Sequence, residues 1–190
     1  MIQKGEFDAS QRTQFVEQSV SYDSGFENYQ KFLGFELEDL KGNNVLDIGG
    51  QPNGFFAAEA ESIGAKVVTF NPKTSGESRK HNDIVAGLAQ QMPFKNESFD
   101  IVLAYASVPA YLPQFEPEYR ETFSEMLRVL KPGGKIYIFP IMEEMAQDPV
   151  FGKIMRDIAK GNQIKTEAFG TGTASGQVGF RLIITKSKNL

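Results

Sequence analysis

The sequence predicts a doubly wound α/β fold on a mostly parallel sheet, and three observations predict it. Two short apolar runs, Asn44-Val45-Leu46-Asp47-Ile48 and Lys66-Val67-Val68-Thr69-Phe70, have the character of strands buried on both faces. Between them, residues 54 to 64 place Phe56, Ala60 and Ile63 on one helical face, and a right-handed crossover of that size forces the two strands parallel. Near the end, two strand-like stretches flank a loop of Gly, Thr and Ser and read as a closing antiparallel hairpin.

The remaining elements follow in order. Phe26, Tyr29, Leu33, Leu37 and Leu40 recur at helical intervals with a break at Gly34, so residues 1 to 40 read as a helical cap ahead of a core spanning 41 to 190. Residues 84 to 86 form a short third strand, and 98 to 104 a fourth whose unbroken apolar character implies cover on both faces. Tyr119, Phe123, Met126, Leu127 and Leu130 form a helical stripe over 117 to 130, stopped by a turn at Lys131-Pro132-Gly133-Gly134. Residues 135 to 139 are the fifth strand. Asp148-Pro149 caps a helix whose Phe151, Ile154, Met155 and Ile158 face the core, and the hairpin strands run over 164 to 169 and 178 to 185. With no repeat and no long linker, 190 residues make one domain.

Composition narrows the function. A net charge of −4 and a pI near 5.2 argue against a nucleic-acid partner, which needs clustered Lys and Arg. Zero Cys and a single histidine, His81, remove thiol chemistry and make a metal centre a poor expectation. The first ten residues carry Lys4, Glu6 and Asp8 rather than a basic-then-apolar leader, and no apolar run reaches membrane-spanning length, so the expected location is cytoplasm.

In open α/β sheets, ligands bind beyond the carboxyl ends of the strands where strand order reverses. That rule selects the loops 49 to 54, 71 to 74, 87 to 92 and 105 to 111. The first, Gly49-Gly50-Gln51-Pro52-Asn53-Gly54, suits equally a tight turn and close backbone approach to a nucleoside. Three segments taken together carry more: Val45-Leu46-Asp47-Ile48-Gly49; then Met92-Pro93-Phe94 with Glu97-Ser98-Phe99-Asp100-Ile101-Val102; then Glu125-Met126-Leu127-Arg128-Val129-Leu130-Lys131-Pro132-Gly133-Gly134. In this order and spacing they resemble the small-molecule class I S-adenosylmethionine-dependent methyltransferases. The resemblance implies a Rossmann-like three-layer sandwich, with a mostly parallel seven-stranded sheet and a C-terminal antiparallel hairpin. It also implies S-adenosylmethionine as cofactor. Asp47, Gly49, Gly50 and Gln51 then lie around its methionine end, Asn71 at the ribose, Leu88 and Ala89 at the adenine, and Tyr105 at the end of the fourth strand.

Three departures from the family pattern matter. Its later glycines fall on Gln51 and Asn53, with Pro52 between them, which restricts the backbone. Its ribose-binding acid falls on Asn71, whose neutral amide weakens such a bond by on the order of 1 kcal/mol; a turn residue before Pro72 is the ordinary alternative. Its adenine-binding Asp falls on Leu88, which packs against a ring but accepts no proton, leaving Gln90 or Gln91 as acceptors. Asp47 itself also suits a carboxylate that merely organises the turn, and Tyr105 and Tyr111 suit packing as well as a substrate contact.

No acid or base stands out in the loop 105 to 111, so no catalytic residue is assigned; methyl transfer by alignment and desolvation does not require one. The basic cluster Lys73, Arg79, Lys80 and His81 reads as solvated loop, and Glu143-Glu144 as favourable partners of a helix start. The expected activity is methyl transfer to a small, partly apolar molecule, roofed by residues 1 to 40 and 105 to 115. The rival is a non-catalytic binding or assembly module that keeps the fold. A nicotinamide-dependent oxidoreductase fits less well, because its fingerprint wants three ordered glycines.

Overall fold

A computed structural model describes residues 25–51, 55–72, 83–112, 116–170 and 178–188. The first 24 residues of the expected cap, Pro52, Asn53 and Gly54 of the glycine loop, and the basic cluster Lys73, Arg79, Lys80 and His81 lie outside the described residues.

The described elements run α1 (Phe26–Leu33), α2 (Leu37–Leu40), β1 (Asn44–Ile48), α3 (Phe55–Ser62), β2 (Lys66–Phe70), β3 (Ile84–Val85), β4 (Phe99–Tyr105), α4 (Glu116–Val129), β5 (Leu130–Met142), α5 (Glu143–Ala146), α6 (Pro149–Ala159), β6 (Asn162–Gly170) and β7 (Val178–Lys186). The sheet has seven strands in the order β3-β2-β1-β4-β5-β7-β6. β1 runs parallel to β2 and β4, β2 to β3, and β4 to β5; β7 is antiparallel to both β5 and β6. Strand order reverses between β1 and β4, which is the switch point at which this architecture binds ligands.

Alternation along the strands sends side chains to two cores. Val45 and Asp47 of β1, with Ile101, Leu103 and Tyr105 of β4, face α1 and α3 through Tyr29, Leu33, Phe56 and Ala60. Leu46 and Ile48, with Val102 and Ala104, face α4 and α6 through Tyr119, Phe123, Met126, Phe151 and Ile154. Helices thus cover both faces, which is why β1 and β4 read as nearly continuous apolar runs. α1 ends at Gly34, whose φ of 73° is the left-handed cap that glycine adopts without steric cost. Asp148 caps α6 by accepting from the Val150 amide at 2.9 Å.

One expectation is corrected. Lys131-Pro132-Gly133-Gly134 is not a free turn: β5 begins at Leu130, pairs Leu130 with Phe99, and passes an irregularity before pairing Lys135 with Ile101. Gly134 is required there because a Cβ would stand 2.7 Å from the Asp100 carbonyl oxygen. Lys131 meets the Asp100 carboxylate at 2.8 Å, and that carboxylate also accepts from the Asn44 amide at 2.9 Å.

The Glu125-x-x-Arg128 pair accounts for the segment before β5 in purely architectural terms. Arg128 Nε donates to Glu125 at 2.6 Å, and its terminal nitrogens donate to the Phe94 and Met92 carbonyls at 2.7 and 3.0 Å. Glu125 in turn accepts from the Met92 amide at 2.7 Å. One planar guanidinium therefore staples the 92–96 loop to α4. Arg128→Ala should cost about 2 kcal/mol, and Arg128→Lys about half of that, because an ammonium lacks the fork that serves several acceptors. Urea unfolding of the two variants checks the ranking; equal losses would contradict it.

Candidate functional site

β1 ends in a glycine turn held from three directions. Gly49 has φ 82° and its amide donates to the Phe70 carbonyl at 2.7 Å, tying the turn to the end of β2. The Ser107 hydroxyl, just past β4, donates to the Ile48 carbonyl at 2.6 Å, and the Asn71 amide, just past β2, donates to the Gly50 carbonyl at 2.9 Å and the Gly49 carbonyl at 3.4 Å. Room is tight: a Cβ on Gly49 would fall 2.3 Å from Ser107 Cβ, and one on Gly50 would fall 2.1 Å from Asp47 Oδ2.

Asp47 lies beneath this turn, 2% exposed. Both of its oxygens accept from the Tyr29 hydroxyl at 3.2 Å. Burial pushes the Asp47 carboxyl from 3.8 up to about 7, and the Tyr29 hydrogen bond pulls weakly the other way. The Tyr29 phenol is raised well above 10 by its own burial and then by the Asp47 charge. Tyr29 is fixed by stacking on Phe56 at a ring separation of 4.1 Å and by contact with Tyr105 at 4.8 Å. α1 also lays Phe32 over Tyr105 and Phe139, at 5.8 and 5.0 Å. Arg181 of β7 holds the end of that helix, donating to the Phe32 and Lys31 carbonyls at 2.8 Å each while paired with Glu167 at 2.8 Å.

Among the residues singled out in the sequence, Gly49, Gly50, Asp47 and Asn71 thus meet directly, and Gln51 follows on the exposed side of the turn. Tyr105 is 4% exposed and belongs to the aromatic wall, whereas Tyr111 is 43% exposed on the loop beyond it. On the loop after β3, Ala89 is buried and Leu88 stands 61% exposed, an unusual position for a large apolar side chain. Gln91 pairs with Leu88 through backbone at 3.0 Å. Glu143 and Glu144 occupy the first turn of α5, where their charges suit the helix dipole.

Two participants were not singled out in the sequence. Tyr29 lies on the apolar stripe of α1 and so reads as core, and Ser107 is one small residue in a loop; only tertiary structure reveals what their hydroxyls touch. Among the described residues, no three potential metal ligands gather at one place. No helix among them is long and apolar enough to cross a membrane. A groove of about 670 Å³, lined by Asn44, Lys66, Asp83 and Ser98, opens at the opposite, N-terminal ends of the strands. The strand-end rule puts ligand chemistry at the turn instead.

Strand order and glycine turn together define a Rossmann-like domain in which the last strand is inserted antiparallel. Residues 46–138 match the family described as methyltransferase domain. The demethylmenaquinone methyltransferase of Chlorobaculum tepidum is 30% identical over 151 residues, 70% of this chain and 60% of that protein. That of Chlorobaculum parvum is 29% identical over 163 residues, 77% of this chain and 65% of its own length. The chain therefore spans somewhat under two thirds of these relatives. Among solved structures, the N-methyltransferase NodS of Bradyrhizobium japonicum, in complex with S-adenosyl-L-homocysteine, shares the fold. Its TM-score is 0.64 at 14% identity, covering 91% of this chain and 97% of that one. The match over residues 46–138 and these relatives support the class I S-adenosylmethionine-dependent methyltransferase family for this chain.

Proposed function

We propose that this chain binds S-adenosylmethionine at the carboxyl ends of β1, β2 and β4 and transfers its methyl group to a small, partly apolar molecule. The observation that carries the reading is the convergence of the Gly49-Gly50 turn, Asp47 and Asn71 at the switch point of the sheet. In this reading Gly49, Gly50 and Gln51 offer backbone to the methionine end, with Asp47 as the charge beneath. Asn71 stands beside the ribose, Leu88 and Ala89 give the adenine an apolar seat, and the end of β4 at Tyr105 faces the transferable methyl. A side chain as exposed and apolar as Leu88 supports the fit, since a stacked ring covers it.

Bound there, the cofactor supplies an electrophilic methyl group on a sulfonium. The chain supplies alignment and exclusion of water through the aromatic wall of Phe32, Tyr105 and Phe139. That wall, together with relatives named for demethylmenaquinone, supports an acceptor with apolar surface. The reading further takes the chain as one domain of cap and core acting in the cytoplasm without nucleic acid.

Thermal unfolding with S-adenosylmethionine, S-adenosylhomocysteine, NADH and NADPH tests it. The first two should stabilise the protein by about 2.7 kcal/mol at a hundredfold excess over Kd, and the nicotinamides not at all. Indifference to all four would overturn the cofactor site and leave a methyltransferase-like binding module.

A further inference from the structure

The geometry points to Asn71 as a positioning residue that sets the path of the glycine turn, in a way the acid usual in the family could not. The inference rests on the cofactor reading for its effect on binding, though not for its effect on the turn.

Three successive carbonyls, those of Ile48, Gly49 and Gly50, are held by side-chain donors from the two strands flanking β1. Ser107 takes the first at 2.6 Å; Asn71 Nδ2 takes the second and third at 3.4 and 2.9 Å. The Asn71 backbone N–H donates to the Val85 carbonyl at 3.1 Å, so the side chain springs from fixed backbone. The turn needs such holding because its own interior is full: a Cβ on Gly50 would meet the Asp47 carboxylate and Thr69. An ionised carboxylate at position 71 has no hydrogen to give. It would set a negative oxygen against two carbonyl oxygens and loosen the turn, whatever it gained at a ribose. Restoring the family's acid should therefore weaken the site rather than repair it.

The test compares wild type, Asn71→Asp and Asn71→Ala by calorimetric titration with S-adenosylhomocysteine at pH 8 and pH 5. At pH 8, Asn71→Asp should bind about tenfold more weakly than wild type, the value of one lost charge-neutral donor plus repulsion. At pH 5 the deficit should shrink severalfold, because the Gly49 and Gly50 carbonyl oxygens facing the introduced carboxyl disfavour its ionised form and raise it above the ordinary carboxylate range, so that the protonated group regains an O–H for the Gly50 carbonyl. The Asn71→Ala deficit should be the same at both pH values. Asp47 and its partner Tyr29 are the titratable groups facing the turn from β1 and α1; repeating the comparison in an Asp47→Asn background removes the Asp47 titration, and the pH dependence of the Asn71→Asp deficit should persist there.

Tighter binding by Asn71→Asp at pH 8, or a deficit equal at both pH values, would overturn the inference. The amide resonances of Gly50 and Gln51, whose peptide carbonyls are the acceptors, give a cofactor-free readout. In Asn71→Asp they should follow a second carboxylate titration, beside that of Asp47, that is missing in Asn71→Ala. Should wild type bind no S-adenosylhomocysteine, that readout still decides on Asn71, while the cofactor reading alone falls.

Discussion

Asp47→Asn should stabilise the protein, and by about 3 kcal/mol more at pH 8 than at pH 5. The Asp47 carboxyl is pushed from 3.8 to about 7, so the native state binds the proton more tightly than the unfolded chain does. Native stability from this group is then fullest below pH 4 and is lost as pH rises toward 7, the reverse of a salt-bridged carboxylate. At pH 8 a displacement of that size corresponds to on the order of 4 kcal/mol, and at pH 5 to roughly one third of it. An amide carries no charge to bury, and its oxygen still accepts from Tyr29, so the variant escapes the loss. Urea unfolding of both proteins at the two pH values measures this; an equal difference at each would refute it. Cofactor affinity should fall in the same variant, since the charge beneath the turn is gone. A destabilising group kept beneath the turn proposed to bind the cofactor is the usual form of a stability–function trade-off.

Gly50→Ala should cost about 3 kcal/mol, the upper end of what overpacking a core does. Its Cβ would stand 2.1 Å from Asp47 Oδ2 and 2.9 Å from Thr69 Cγ2, and both side chains are buried. Asp47 has little freedom to yield, because Tyr29 holds both of its oxygens and Phe56 holds Tyr29. The cost should fall by more than half in an Asp47→Ala background, where the clashing oxygen is absent. A double-mutant cycle in urea reads that coupling directly. Additive losses would show that the strain resides in the backbone instead.

β1 and β2 are legible to the residue in the sequence because each is a short apolar run between turn residues, with nothing to compete. β5 is less legible. Pro132, Gly133 and Gly134 are turn chemistry by local rules, and only the crowding of Gly134 against Asp100 shows why an extended strand needs the last of them. The site is legible at the level of loops, since strand ends name them. The direction of a side chain is not: Asn71 reads as a turn residue or a weakened ribose acceptor, whereas its amide is turned toward the glycine carbonyls. The link between Tyr29 and Asp47 crosses 18 positions and two elements, and no local pattern announces it.

The antiparallel strand β7 also orders events during synthesis. β7 lies between β5 and β6, and it is made after both. A nascent chain that has released β6 has no place to dock it until β7 has emerged. The same strand carries Arg181, which holds the α1 carbonyls of Lys31 and Phe32 across about 150 positions. The helix that sets Tyr29 against Asp47 is thus made long before the strand that secures it. The parallel half of the sheet can assemble while translation proceeds, but the glycine turn reaches its final form only once β7 has been made.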